Sequence, residues 1–441
     1  PPPWAWPRMN KRGLLALVPA LFLTLAAQGR GAVTVAAGCE AVAWTSTSPT
    51  PSSPRSDAAD LADAASRLPG TSTSTSTSTS TAWPDWVRFR EGFISADGRV
   101  IDASTPLHQT TSEGQSYALF FALVANDRAA FDRLLRWTQD NLAAGDLSAR
   151  LPAWLWGRRQ DAAGQVSWGV IDANAASDAD LWIVYALGEA ARLWNAPPYA
   201  ALAQALAARV LREEVVDISP LGPTLLPGPW GFAPGSGTEP GSYRLNPSYV
   251  PPQLLRRLAR LYPDTLWPRV AASSLTVLRS SAPRGYAPDW VLHQAGAFTA
   301  DPRTQGVGSY DAIRVYLWAG MVHEADPARA ILLDTFAPMV RQVADMGQPP
   351  LRVDTATGNA QGAGPAGFSA ALLPLLQVAG QAQAAEAQRQ RLSRPPLGPV
   401  FAGRDNYYDQ VLALFGVGWF EGQYRFAPDG ALLPRWSCAA P

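Results

Sequence analysis

The 441-residue chain balances 36 Lys+Arg against 36 Asp+Glu, which argues against a duplex-binding protein, since that class carries a basic surplus to neutralise phosphates. Apolar residues make up 47%, enough to bury a sizeable core in one large domain or two ordinary ones. Tryptophan is the outlier with 17 copies, beside 12 tyrosines; most must be core, yet flat aromatic faces also suit the C–H faces of sugar rings, and a neutral ligand fits the charge balance.

The chain begins with an export-like segment. "MNKRGLLALVPALFLTLAAQ", from Met9, has a positive start (Lys11, Arg12) and an apolar stretch of about 15 residues, too short for a membrane span. Residues 1–43 are read as this segment and point to a periplasmic or secreted protein, with no stable membrane span once the signal is removed. Cys39 follows "AAG" and lacks the branched apolar residue of a lipoprotein box. In an oxidising compartment Cys39 and Cys438 could pair; the other reading is one lost with the signal and one left free. Residues 44–82 are Ser/Thr/Pro/Ala-rich and alternate Thr-Ser over 71–81. Such a tract cannot offset its ordering entropy by burial and reads as a flexible tether. The folded domain is expected over 83–441.

From Trp83 onward the pattern is helical. Apolar residues recur at three and four spacings in 113–126, 128–143, 179–194, 199–213, 251–262, 264–279, 309–322, 327–345, 367–378, 380–392 and 406–417, separated by Pro, Gly, Asn and Trp. Strand signals are few, with "RFAPDGALLP" a candidate hairpin near the end. About eleven helices of similar length and no fixed repeat suit a ring of helical hairpins, an all-α barrel; a helical solenoid is the rival.

Three of these helices share one start. In "TTSEGQSY", Ser112 is expected to cap the helix, with Gln115 completing a capping box and Glu113 in the first turn. In "NAASDADLW", Ser177 is the expected cap and Asp180 its box partner, so Asp178 and Asp180 share the first turn. In "GVGSYDAIRVYLW", Ser309 is the expected cap and Asp311 lies in the first turn. Each helix is apolar on nearly all sides beyond its start, which marks it as buried. Acids in a first turn stabilise the helix dipole by about 0.3–1 kcal/mol each, and that plain reading suffices for any one of them. Three such starts on parallel buried helices would instead bring carboxylates together at one face. Two converging carboxyls, one protonated and one ionised, suggest hydrolysis of a glycosidic bond. Glu113, beside Gly114 and an apolar helix, can be desolvated and can feel Asp178, so it reads as proton donor. Asp311 has Arg314 one turn on, which favours the ionised form, so it reads as base.

These segments, together with "DWVRFREGFISADGRVID", "RLPAWLWG", "RLNPSYVPP", "APDWV" and "GFSAALLPLL", resemble glycoside hydrolase family 8 collinearly over about residues 83–437. The resemblance implies an (α/α)6 barrel, an inverting mechanism, and β-1,4-glucan (cellulose) as the usual substrate, in a setting of cellulose synthesis and export with the synthase/export complex as a partner. It matches Glu113 to the general acid and Asp311 to the general base. The carboxylate that holds the distorted sugar matches Asp178, with Asp180 the second choice. Tyr310 and Arg314 would shape the surroundings of the base. No cofactor or metal is implied, and His108, His293 and His323 have no ligand spacing. Ala118 stands where the family often has glycine and Val184 where alanine is usual; both predict local repacking. Trp154, Trp156, Trp168, Tyr249 and Trp290 lie in loop-like or helix-start segments and are candidate stacking platforms, whereas Trp182, Trp194 and Trp318 sit inside helices and read as core. Asn246 and Asp289 read equally as sugar ligands or turn caps. Hydrolysis of chitosan, xylan or mixed-linkage glucan, a non-catalytic glucan-binding scaffold, and a purely structural helical ring are the competing functions.

Overall fold

The computed structural model describes residues 83–393, except 237 and 239, and residues 406–438. The export segment, the Thr-Ser tether and Cys39, and with it the Cys39–Cys438 pairing, lie outside the described residues.

Every periodic segment of the sequence is a helix. In chain order the helices are α1 (Pro84–Phe93), α2 (Ser112–Val124), α3 (Arg128–Leu142), α4 (Ser177–Leu193), α5 (Pro197–Glu213), α6 (Pro252–Leu261) and α7 (Trp267–Ser280). They continue with α8 (Ala312–Met321), α9 (Pro327–Met346), α10 (Ala366–Val378), α11 (Ala382–Arg391), α12 (Tyr407–Phe420) and the single turn α13 (Arg435–Cys438). The periodicity reading does not include α1, although its buried Trp86, Phe89 and Phe93 keep the same spacing.

Burial sorts these helices into two rings. All of α8 is buried, as is α10 from Ala366 to Leu376, and a helix apolar all round needs neighbours on every side. By contrast α5 buries one stripe, Ala203, Leu206, Ala207 and Val210, as an outer helix should. The inner helices α2, α4, α6, α8, α10 and α12 touch in that order. The ring closes where Phe415 of α12 meets Tyr117 and Phe121 of α2, with centroids 5.0 and 4.6 Å apart. Outer helices α3, α5, α7, α9 and α11 each pack on the preceding inner helix, and α1 packs on α12. Six outer–inner pairs in a closed ring make an (α/α)6 barrel, which excludes the solenoid. Because each outer helix returns the chain, the inner helices run parallel and present their N-termini at one end.

Aromatic rings fill the barrel axis. Trp182 lies 4.9 Å from Phe120 and 5.4 Å from Trp318, which lies 5.1 Å from Phe415. Rings of this size contribute roughly 4–6 kcal/mol each before entropy is counted. Trp182 and Trp318 are fully buried as expected; Trp194 is half-buried, edge-on to Phe131. Ala118 and Val184 both lie in this core. Two glycines let backbones approach here. A Cβ on Gly416 would stand 1.9 Å from the Ala370 carbonyl oxygen, and one on Gly320 2.2 Å from the Leu375 nitrogen.

Strand content is larger than the sequence suggests, and all of it decorates the loops. β1 (Thr110–Thr111), β2 (Leu155–Gln160) and β3 (Val166–Asp172) form one sheet; β4 (Val215–Ile218) and β5 (Gly222–Leu225) a hairpin; β6 (Ser242–Leu245), β7 (Val291–Gln294) and β8 (Ala297–Ala300) another sheet. β9 (Val307–Gly308), β10 (Pro350–Asp354) and β11 (Ala360–Ala363) form a third sheet, and β12 (Tyr424–Phe426) with β13 (Leu432–Pro434) is the hairpin expected at "RFAPDGALLP". These strands are short and partly exposed, so alternation never accumulates into a signal. Among the described residues no helix is long and apolar enough to cross a membrane.

Candidate active site

The parallel inner helices bring three acids to one guanidinium. Arg314, on the first turn of α8, lies 3.0 Å from Asp311 Oδ1, 3.2 Å from Glu113 Oε2 at the start of α2, and 3.9 Å from Asp178 Oδ2 at the start of α4. Arg314 is itself buried and also donates to Ser248 Oγ and to the Tyr408 hydroxyl, each at 3.0 Å. A single guanidinium therefore spans the gap between Glu113 and Asp311, residues separated by nearly half the chain.

The helix starts are built differently from the capping boxes read in the sequence. Thr111, not Ser112, caps α2 by accepting from the Gly114 N–H at 3.0 Å. Gln115 does not reach back to the cap. Its oxygen accepts from the Val100 N–H at 2.6 Å, and its amide donates to Gly98 O and Thr138 Oγ1, which locks the chain before β1 onto α2 and α3. Gly114 is required by the site itself: a Cβ there would sit 2.5 Å from the Tyr407 hydroxyl. In α4, Ser177 is the first helical residue and makes no cap, because Ala176 occupies that position without a side-chain bond. Asp180 does not turn back to Ser177. It is fully buried and faces Glu214 at the end of α5 rather than Arg314; burial raises both carboxyls. At α8, Ser309 donates to Leu351 O instead of capping. Asp289 does the capping: its Oδ1 accepts backbone N–H bonds from Ser309, Asp311 and Ala312 at 2.7, 3.1 and 2.8 Å. Asp311 thus sits at the N-cap, one step before the helix.

Exposure and charge separate the three acids. The side chains of Glu113 and Asp311 are 24% and 29% exposed, open to the cleft, whereas Asp178 is at 1%. Asp178 is held well above the usual carboxylate range, by burial first and then by the charge of Glu113. Its Oδ1 accepts from the Ala179 N–H at 2.8 Å, and Oδ2 is turned toward Arg314. Asp311 is raised too, by burial first and also by the Glu113 charge, although Arg314, Trp290 and Asn246 pull downward. Trp290 Nε1–H donates to Asp311 Oδ2 at 3.0 Å. Asp289 is pushed up to about 7 by burial and by Asp311, against its three N–H donors.

The remaining sequence candidates divide between cleft and support. Tyr249 is pushed well up, by burial and then by the charges of Asp178 and Asp311, so its hydroxyl belongs to the same cluster. Tyr310 is 51% exposed, its ring edge-on to Phe368 at 5.2 Å and its carbonyl accepting from the Tyr408 hydroxyl. Trp168 is 47% exposed on β3 and stacks on Trp156 at 5.6 Å; Trp154 and Trp156 are partly buried on the chain leading into and along β2. Asn246 and Asp289 both act as caps. The Asn246 carbonyl accepts from the Ser248 N–H and hydroxyl at 3.0 and 2.7 Å, and Ser248 in turn supports Arg314. The sequence reading misses Ser248, Tyr407 and Tyr408. It also misses Trp230, 61% exposed in the loop after β5, whose carbonyl accepts from Asn174 just ahead of α4. A Trp between Gly and Pro in "PGPWGF" is the one signal that could have marked it.

The chain as a whole has counterparts. The sequence profile of glycosyl hydrolases family 8 matches residues 69–422. An endoglucanase of Xanthomonas axonopodis pv. citri (strain 306) is 47% identical over 386 residues, covering 87% of this chain and 97% of the relative. An endoglucanase of Escherichia coli (strain K12) is 46% identical, covering 80% of this chain and 91% of its own. Among solved structures, the endo-1,4-D-glucanase from Vibrio fischeri ES114 superposes with a TM-score of 0.72 at 44% identity, covering 80% of this chain and 99% of that one. The endo-beta-1,4-glucanase from Acetobacter xylinum superposes at 0.59 with 27% identity, covering 76% and 96%. A closed six-hairpin ring, three acids on one arginine at its rim, and a profile match along most of the chain lead to one conclusion: the chain belongs to glycoside hydrolase family 8.

Proposed function

We propose that the protein is an inverting endo-β-1,4-glucanase acting on cellulose, with Glu113 as general acid, Asp311 as general base and Asp178 as the carboxylate that grips the sugar at the point of cleavage. The observation that carries this reading is Arg314 bridging Glu113 and Asp311 from two sides of one cleft. Family 8 is an inverting family, and its relatives here carry the name endoglucanase. An inverting pair needs one protonated carboxyl, one ionised carboxylate, and room for water between them.

Exposure and neighbouring groups support these roles. Glu113 and Asp178 face each other, and two neighbouring carboxyls do not both ionise readily. Burial favours the proton on Asp178, and Glu113, the more exposed member, is the one placed to reach the leaving oxygen. Burial raises Asp311 overall, while Arg314 on one oxygen and the Trp290 N–H on the other pull it back toward the ionised form a base needs. Asp311 accepts a proton from the attacking water on the opposite face of the ring, and Tyr249 lies beside that path. The exposed rings of Tyr310, Trp168 and Trp230 offer flat faces for successive glucose units. The site needs no cofactor. The substrate is a β-1,4-glucan chain, and the export-like start after Met9 supports a periplasmic or secreted enzyme working alongside the cellulose synthesis and export complex.

Purified protein is expected to cut carboxymethylcellulose internally and to release products first as the α-anomer, read by NMR immediately after cleavage. A panel with chitosan, xylan and mixed-linkage glucan sets the preference. A β-anomer first, or cello-oligosaccharide binding with no turnover, would reject the mechanism or the activity respectively.

A further inference from the structure

Behind the base lies a stack that the reaction itself does not touch. Trp290, whose N–H holds Asp311, packs against two groups. Phe232 lies parallel to it at 5.9 Å, with an interplanar angle of 3°. On Trp290 also rests the guanidinium of Arg244, 3.7 Å from the ring centroid. Arg244 is buried and is gripped by Asp301 Oδ2 through Nε at 3.2 Å and NH2 at 3.0 Å; Asp301 is buried too and accepts from Thr304 Oγ1.

We propose that Arg244 and Asp301 are positioning residues for Asp311, acting through the indole of Trp290. A cation on an aromatic face draws electron density from the ring. The indole N–H then becomes a stronger donor to the carboxylate that must stay ionised. The same segment braces the base from a second direction: Asn246 and Ser248, just beyond Arg244, support Asp311 and Arg314 respectively. An arginine so deeply buried is unsuited to hold sugar, and its planar stacking is a geometry that lysine or methionine cannot reproduce.

Other charges also face Asp311: Arg314 on α8, Glu113 from α2, Asp289 ahead of β7, and the hydroxyls of Tyr249 and Tyr408. The test must therefore isolate the route through Trp290. It rests on Asp311 being the base, so Asp311→Asn is measured alongside; retained activity there refutes the base assignment itself and not the stack.

The experiment records the pH dependence of kcat/KM on a soluble cello-oligosaccharide for Arg244→Met, Arg244→Lys and Asp301→Asn. Each is made in the wild-type and in the Trp290→Phe background, with thermal melts for all. Arg244→Met is expected to raise the acid limb by about half a pH unit or more and to lower kcat roughly threefold to tenfold, with KM little changed. Arg244→Lys, which keeps the cation, restores part of the loss, and Asp301→Asn shifts the limb the same way by less. In Trp290→Phe, which has lost the donor, these substitutions add little further shift. An unmoved acid limb, or an equal shift in both backgrounds, overturns the proposal and leaves Arg244 a packing residue or a simple through-space charge. Should Arg244→Met not fold, the same comparison is decided by Asp301→Asn and Arg244→Lys.

Discussion

Replacing Glu113 by Gln tests the acid assignment with little structural disturbance. The side chain is 24% exposed, with Arg314 3.2 Å from Oε2 and Asp178 facing it. A Gln carbonyl can keep that bond and the volume, so stability should change by less than about 1 kcal/mol. The chemistry should not survive as well. Positioned general acids contribute about 10²- to 10⁴-fold, or roughly 3–5 kcal/mol of barrier. Glucose hydroxyls are poor leaving groups that need the proton, so hydrolysis of a cello-oligosaccharide should fall by that factor. An aryl cello-oligoside carrying a nitrophenolate leaving group does not need it and should lose less than about tenfold. The basic limb of the pH–rate profile reports loss of the acid's proton and should vanish in the variant. The assay is initial rate on both substrates across pH, with a melt as the folding control. A cello-oligosaccharide rate within about tenfold of wild type, or equal losses on both substrates, would refute the reasoning.

Asp180→Asn probes the buried pair with Glu214. Both carboxyls are raised by burial, so the folded state binds more protons than the unfolded chain does. Their contribution to stability is fully present below the unfolded carboxyl range of about 4 and is lost as pH rises toward the raised folded values. An amide mimics the protonated acid at every pH, so the variant should melt higher than wild type near neutrality with a flatter Tm-versus-pH curve; an unchanged curve would contradict the reading of two carboxyls raised by burial. Trp168→Ala should raise KM for long glucan chains severalfold with kcat and Tm nearly unchanged, because an exposed ring binds ground and transition states alike; a loss confined to kcat would assign it another role. Gly416→Ala drives a Cβ to 1.9 Å from the Ala370 carbonyl oxygen. Parting α10 from α12 should cost roughly 3 kcal/mol, read as a lower Tm in a thermal melt; a melt equal to wild type would mean the helices separate freely.

Much of this molecule is written locally. Helices such as α2, α8 and α10 are legible because burial on all sides makes their apolar runs long and unbroken, and outer helices such as α5 because one stripe repeats at three and four spacings. The acids Glu113, Asp178 and Asp311 stand out for the same reason: a charge at the mouth of an apolar helix has few plain explanations. What the chain order could not disclose is which partner each polar group meets. Ser309 looks like a cap, but Asp289, some twenty residues earlier, reaches the α8 amides first. Asp180 looks like a partner of its neighbours, yet faces Glu214 one helix away. Arg244 is an unremarkable letter, and Trp290 only one candidate sugar platform among several, until β6 and β7 pair and set one over the other. Hydrophobic periodicity is a property of sequential neighbours and survives in the string; hydrogen bonds, stacked rings and coupled carboxyls depend on distances of a few ångströms between remote segments, which exist only after the ring has closed.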